Sequence, residues 1–237
     1  MKPDILRPLL DLLFPRRCPG CGALAGRSGI CAQCAPTLHP IAGPVCPRCG
    51  REHCRCDPSH PPAYDRLVGV YYYDQVERGI HTFKFDGRAG MALPYAQAMA
   101  AQLGRLLPGA RYDWVVAVPM HPKKERARGY NQAALLAREI ARTLRTPILF
   151  GALRQQQNST QHFASSPAER LQRAEASIVP DRVDRLRRAA GKRILLVDDI
   201  ATTGATLGRC ASLLRAAGAC EIDCITIALV RRARNEE

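Results

Sequence analysis

The sequence predicts an α/β fold: an open, mostly parallel sheet flanked by helices and preceded by a small cysteine-rich domain. Three observations carry that reading. From residue 66 onward, short unbroken apolar runs alternate with amphipathic stretches, the pattern of strands buried on both faces and joined by helices. One such run, Ile194–Val197, leads into two adjacent acids and a loop of small and hydroxyl residues. Eight cysteines stand in four close pairs between Cys18 and Cys56.

The totals bound the answer. A chain of 237 residues with 46% hydrophobic side chains can bury one large core, and with only 5% aromatics that core is mostly aliphatic. The formal charge of +14 favours anionic partners such as nucleic acid, an anionic membrane or a pyrophosphate. No run of 18 apolar residues occurs, so no membrane-spanning helix is expected. The opening Met1–Phe14 stretch is interrupted by Pro8 and Asp11 and does not read as a secretory signal. With paired cysteine spacing, this points to metal rather than disulfides and to a cytoplasmic protein. Ile5, Leu9, Leu12 and Leu13 give residues 4–14 the face of a short amphipathic helix that packs on its own protein.

The cysteine pairs are Cys18/Cys21, Cys31/Cys34, Cys46/Cys49 and Cys54/Cys56. A Cys-x-x-Cys knuckle turns two thiolates toward one point, and two knuckles complete a tetrahedral zinc set. Gly22 and Gly50 follow two of the knuckles, where the chain must turn tightly. Eight thiols make two structural sites, with either sequential pairing or a crossed pairing of first knuckle with third. The final pair is Cys-x-Cys and lies close behind Cys49, which makes the second site the weaker one. Asp57–Tyr64 is Pro-rich and reads as a stiff linker, placing a metal-binding head at residues 1–60 and the α/β domain at 61–237.

Along the α/β domain, strands are expected at Arg66–Tyr73, Trp114–Val118, Pro147–Phe150, Ile194–Val197 and Ile222–Val230. Helices are expected at Val76–Phe85, Met91–Leu107, Gly129–Arg145 with Leu135, Leu136 and Ile140 inward, Ala168–Ala176, and from Leu207 through Leu213 and Leu214. Residues 151–166 are polar with little periodicity. Cys210, Cys220 and Cys224 read as ordinary buried thiols.

The stretch Lys192–Leu207 is the chemical centre. A loop of Ala201, Thr202, Thr203, Gly204, Ala205 and Thr206 lets backbone N–H groups close around a phosphate, and the positive end of the next helix favours the anion. Asp198 and Asp199 repel a phosphate but suit the vicinal hydroxyls of a ribose beside it. A sugar 5-phosphate fits both halves. A plain helix cap needs one polar residue, and this loop supplies several. No Walker phosphate loop is present. The run Ile194–Leu207 resembles the phosphoribosyl-pyrophosphate (PRPP) motif of type I phosphoribosyltransferases. That resemblance implies that Asp198 and Asp199 hold the ribose hydroxyls and Ala201–Thr206 the 5-phosphate.

A second constellation follows Trp114–Val118. Ligands of open parallel sheets sit beyond the carboxyl ends of strands, and there the sequence places a basic loop with Lys123, Lys124, Arg126 and Arg128. These suit a pyrophosphate. His121 has no evident carboxylate partner and reads as passive rather than as a base.

Over nearly its whole length the chain is similar to the ComF family of competence-related, phosphoribosyltransferase-like proteins. The resemblance runs through the cysteine head, Gly79-Ile-His-Thr-Phe-Lys84, Val118-Pro119, Arg128-Gly-Tyr-Asn-Gln132, Arg154, Thr160-Gln161 and Val197–Thr206. It implies a type I phosphoribosyltransferase-like open parallel sheet with a small N-terminal zinc-ribbon domain of two four-cysteine sites, and a flap containing Arg154, Thr160, Gln161 and Arg170. It implies Mg²⁺ with PRPP, single-stranded DNA and proteins of the DNA-uptake machinery as partners, and a role in natural transformation. The alternative is an active phosphoribosyltransferase, with Asp198 and Asp199 stabilising an oxocarbenium-like transition state during transfer to a nucleobase-like acceptor. A third reading is a zinc-knuckle docking protein without ligand chemistry.

Overall fold

The computed structural model describes residues 17–26, 29–54, 56–156 and 177–231. The helices expected over 4–14 and Ala168–Ala176, and flap residues Thr160, Gln161 and Arg170, lie outside the described residues.

Strands β1 (Arg66–Tyr72), β2 (Trp114–Ala117), β5 (Arg193–Ala201) and β6 (Glu221–Leu229) form one parallel sheet in the order β1-β6-β5-β2. Between them run helices α1 (Tyr73–Phe85), α2 (Ala92–Leu106), α3 (Pro122–Arg128), α4 (Gln132–Leu144), a short α5 (Val183–Leu186) and α6 (Ala205–Ala216). Leu153–Gln155 (β3) and Ile178–Pro180 (β4) pair antiparallel as a separate ribbon.

The central strands are buried on both faces. Ile194, Leu195, Leu196 and Val197 are all fully buried. Period two sends Leu195 and Val197 into a core with Val76, Phe83, Tyr95, Met99, Leu136 and Ile140, from α1, α2 and α4. Ile194 and Leu196 enter a second core, on the other face, with Leu207, Cys210 and Leu214 of α6. Burying each such side chain contributes about 1.5–3 kcal/mol, so both faces hold β5 in place.

Four expectations are corrected. Pro147–Phe150 is not a full strand: Ile148 alone bridges Val115, because Pro147 has no N–H to donate, Phe150 is exposed and Gly151 turns away at φ 68°. The basic segment after β2 is a helix, α3, not a loop. Cys220 is exposed just ahead of β6, whereas Cys210 and Cys224 are buried. Leu135 is only partly buried, beside the fully buried Leu136 and Ile140.

The cysteine head lies along β1, the edge strand. Ile41 N–H donates to the Val70 carbonyl at 2.8 Å and Leu67 N–H to that of Pro47 at 2.7 Å, so the head pairs with an edge that would otherwise stand open. Gln102, buried on α2, donates to Ile41 O at 2.9 Å. The first knuckle rests on α1 and α2: Gly79 N–H reaches Gly20 O at 3.0 Å and the Tyr95 hydroxyl reaches Pro19 O at 2.6 Å.

Gly79 is therefore a contact point rather than a helix defect. Alanine in an exposed helix interior gains about 1 kcal/mol over glycine. Here its Cβ would lie 2.1 Å from Pro19 O and 2.6 Å from the Tyr95 hydroxyl. Gly79→Ala is expected to lower stability by about 1–3 kcal/mol, measured by thermal unfolding, because overpacking outweighs propensity. A rise in melting temperature would contradict this packing.

Candidate functional site

Strand β5 continues beyond its apolar run to Ala201, so both acids lie inside the strand, at its carboxyl end. The strand's alternation places Asp199 on the α1 face and Asp198 on the α6 face. Lys84, from the last turn of α1, reaches Asp199 Oδ2 with its Nζ at 2.8 Å; both side chains are more than four-fifths buried. Asp198 Oδ1 accepts from Asp199 N–H at 2.8 Å. Desolvation, with the Asp199 charge next door, pushes the Asp198 carboxyl up to about 8, against the pull of the Asp199 N–H and of Lys84.

The loop after β5 turns at Gly204, whose φ of 86° admits glycine readily and most other residues poorly. Gly204 is also the N-cap of α6. The Thr203 hydroxyl accepts from Ala205 N–H at 3.3 Å, which tightens the turn. The first-turn amides of a twelve-residue helix then face the loop without intrahelical acceptors, a favourable place for an anion.

Across from the acids stands the segment after β2. His121 caps α3, its Nδ1 accepting from Lys123 N–H at 3.1 Å, and Pro122 follows at the first helical position. Gly129, at φ 82°, ends the helix. The Arg128–Gln132 block is then a structural joint as much as a ligand set. Tyr130 OH donates to Phe83 O at 2.5 Å, binding the joint to α1. Asn131 caps α4 through Ala133 N–H and donates to Val118 O at 3.0 Å. Gln132 is fully buried; its Oε1 accepts from Arg128 at 3.1 Å and, among the described residues, its Nε2 has no hydrogen-bond partner.

These pieces meet around one cavity of about 260 Å³. Asp198, Asp199, Thr206, Lys124, Arg128 and Gln132 line it, with Lys84, Gln155 and Ile178, which sequence reasoning missed as site residues. Lys84 stood within the Gly79–Lys84 block, but nothing in a linear sequence pairs it with Asp199. Gln155 and Ile178 belong to the β3–β4 ribbon, which lies over the cavity. The rest of the loop, Ala201–Ala205, leads to Thr206 without lining this space, and Lys123 and Arg126 are exposed on α3. Arg154 lines a neighbouring cavity of about 270 Å³, with its Nε 3.6 Å from Asp181 Oδ1.

The cysteines gather in two sets, Cys18/Cys21/Cys31/Cys34 and Cys46/Cys49/Cys54/Cys56, with Sγ atoms within 4.8 Å of one another in each. Pairing is therefore sequential, not crossed. Cys21 and Cys31 sulfurs lie 3.6 Å apart. Four sulfurs about 2.3 Å from a tetrahedral Zn²⁺ stand about 3.8 Å from each other, so the sets fit structural zinc. Desolvation and the neighbouring thiols push Cys56 up to about 12 and Cys34 up as well, an arrangement that a dication reverses.

Comparison with known proteins agrees with this layout. Residues 9–64 match the double zinc ribbon domain model, and residues 127–237 match the phosphoribosyl transferase domain model. Competence protein ComFC of Bacillus subtilis is 29% identical over 75% of this chain and 74% of its own. DNA utilization protein YhgH of Escherichia coli K12 is 29% identical over 83% and 88%. Competence protein F of Haemophilus influenzae is 28% identical over 88% and 95%. This chain is thus similar, over most of its length, to competence and DNA utilization proteins of the ComF type. In this chain the joint between the two modules is built by α1, which carries the first cysteine knuckle on Gly79 and delivers Lys84 to the acid pair.

Two outcomes are expected. Zinc analysis of purified protein should give about two ions per chain, falling to about one in Cys34→Ser. The Asp198 shift also has a signed consequence. A carboxyl raised from its ordinary 3.8 to about 8 removes stability as pH climbs between those values, because the unfolded chain ionises first. Asp198→Asn should therefore melt higher than the parent protein at about pH 8, with the two converging at about pH 4. Equal melting temperatures at the higher pH would show that Asp198 is not desolvated.

Proposed function

We propose that this protein binds PRPP with Mg²⁺ and acts in DNA uptake, holding single-stranded DNA on a basic surface. The observation that supports it most directly is the Asp198–Asp199 pair, held against Lys84 in the same cavity as Thr206, Lys124 and Arg128. Acids and cations lining one cavity suit a ligand with a diol between two phosphate groups. Asp198 and Asp199 would accept from the ribose hydroxyls. The amides and hydroxyls of Ala201–Thr206 would hold the 5-phosphate. Lys124 and Arg128 would meet the pyrophosphate, with Lys123 and Arg126 adding positive potential from outside the cavity. Bound Mg²⁺ would supply charge neutralisation for the pyrophosphate oxygens. The unpartnered Gln132 Nε2 offers a further donor.

The DNA role is supported by the names of the relatives and by a charge of +14. Exposed Phe85, with the His81 ring tilted against it at 4.8 Å and the Arg128 guanidinium 4.9 Å over it, adds an aromatic face next to Lys84.

A second reading, transfer of ribose 5-phosphate to a nucleobase-like acceptor, is favoured by the β3–β4 ribbon. Its Gln155 and Ile178 give the cavity a cover where an acceptor would stack. Asp198 and Asp199 would then also stabilise positive charge developing on the ribose ring.

Isothermal titration with PRPP and Mg²⁺ tests the shared premise. The parent protein should release heat, and Asp198→Asn combined with Asp199→Asn should release none. Absence of heat from the parent protein would reject both readings. Because ionised Asp198 is the better acceptor, affinity should rise from about pH 6 to about pH 8 with proton release, read from titrations in buffers of different ionisation enthalpy. Single-stranded DNA affinity should fall with salt. Replacing Lys123 and Arg126 by Ala should flatten that log–log slope by about 1.4, at about 0.7 per charge on a single strand. Pyrophosphate release with a panel of bases separates the second reading from the first.

A further inference from the structure

The second zinc knuckle is fastened to the back of the phosphate loop. Arg51 follows Cys49 and Gly50 and is a buried arginine, 4% exposed. Its carbonyl accepts from Cys46 N–H at 3.0 Å, which closes the knuckle on itself. Its guanidinium spends its donors on three carbonyls. Nη1 reaches Cys49 O at 3.0 Å, Nε and Nη2 reach Val230 O at 3.0 and 2.8 Å, and Nη2 reaches Thr202 O at 2.7 Å. One planar fork thus joins the knuckle, the end of β6 and the loop between β5 and α6.

The bond to Thr202 O has a direction. No cis peptide occurs among the described residues, and in a trans peptide the carbonyl and the next N–H point opposite ways. Drawing Thr202 O toward Arg51 turns Thr203 N–H away from the head, toward the open side of the loop. A second contact acts one residue further on. The Tyr64 hydroxyl donates to Arg48 O, inside the same knuckle, at 2.9 Å, and it lies 2.8 Å from where a Cβ on Gly204 would stand. Tyr64 therefore braces the turn that starts α6. The buried guanidinium also adds a fixed positive charge behind an anion site.

We propose that Arg51 is a positioning residue for the phosphate loop, and that metal bound by Cys46, Cys49, Cys54 and Cys56 sets the loop's affinity for a sugar phosphate through it. The inference rests on reading Ala201–Thr206 as the 5-phosphate site. Lysine at position 51 keeps the charge but lacks the planar fork and cannot hold the three carbonyls together. The far wall of the cavity, with Lys124 and Arg128, does not touch Arg51, so the pyrophosphate end of a ligand is untouched by the change.

The test uses the full zinc-loaded chain, with ribose 5-phosphate and Mg²⁺-pyrophosphate as separate probes. Arg51→Lys should weaken ribose 5-phosphate binding by about tenfold, change pyrophosphate binding by less than about twofold, and retain both zinc ions. Amide hydrogen exchange at Thr203–Thr206 should quicken in the variant, a readout that general loss of stability would spread over the whole chain. Cys54→Ser with Cys56→Ser gives a second route, since it removes the outer ligands and leaves Arg51 in place. Zinc should drop to about one ion and ribose 5-phosphate affinity should fall alone. Parent-like ribose 5-phosphate affinity in either variant overturns the inference while leaving PRPP binding standing. A parent protein that binds pyrophosphate but neither ribose 5-phosphate nor PRPP rejects the phosphate-loop reading, and this inference with it.

Discussion

Two carboxyl groups on consecutive residues at the end of a buried strand are an electrostatic liability, and the rest of the site is arranged around keeping them there. Asp198 and Asp199 cannot both ionise in a poorly solvated cleft without a cation nearby. Lys84 supplies one at 2.8 Å from Asp199, and desolvation together with the Asp199 charge raises the Asp198 carboxyl, favouring its protonated form. The cation comes from α1, so α1 must sit at a fixed height against the sheet. Phe83 and Ile80 bury that helix, and Tyr130 fastens its last turn from the far side of the cavity. Removing Lys84 would leave an uncompensated charge beside a half-neutral partner, so the helix and the acid pair are one unit.

The same helix explains why the cysteine head is not an appendage. Its first knuckle rests on Gly79, its middle covers the open edge of β1, and its second knuckle reaches the loop between β5 and α6 through Arg51. A segment this short has too little apolar surface to fold by burial alone, and zinc closes the deficit. The rigidity so gained is passed on, because the head touches both α1, which carries Lys84, and the loop that follows the acids. Cysteine head, edge strand and acid pair are thereby joined by continuous contacts.

Much of this was legible from the residues. The run Ile194–Val197 declared a strand because burial on both faces leaves no polar alternation, and Gly204 and the threonines declared the loop because few other residues tolerate such a turn. The cysteine spacing gave two sites, yet the choice between sequential and crossed pairing needed coordinates. Helix α3 escaped because none of its seven residues is buried, so it has no apolar stripe; its signals were Pro122 at the first position and Gly129 at the end. The β3–β4 ribbon escaped because three-residue strands carry too little pattern to register. Lys84 and Arg51 were invisible for a different reason. Each acts on a partner more than a hundred residues away, and only the folded sheet brings Lys84 to Asp199 or Arg51 to Thr202.

The order of charges across the cavity also bears on what the site admits. Around it stand Thr206 at the amino end of α6, preceded by the loop that Arg51 holds, the acid pair, and Lys124 and Arg128. A nucleoside without phosphates would satisfy only the centre. A plain polyanion would meet repulsion there. A free sugar phosphate would satisfy two of the three zones and leave the far cations unmatched. A diol flanked by two phosphate-bearing arms would satisfy all three, its hydroxyls donating to the acids while Lys84 keeps the charge of Asp199 compensated.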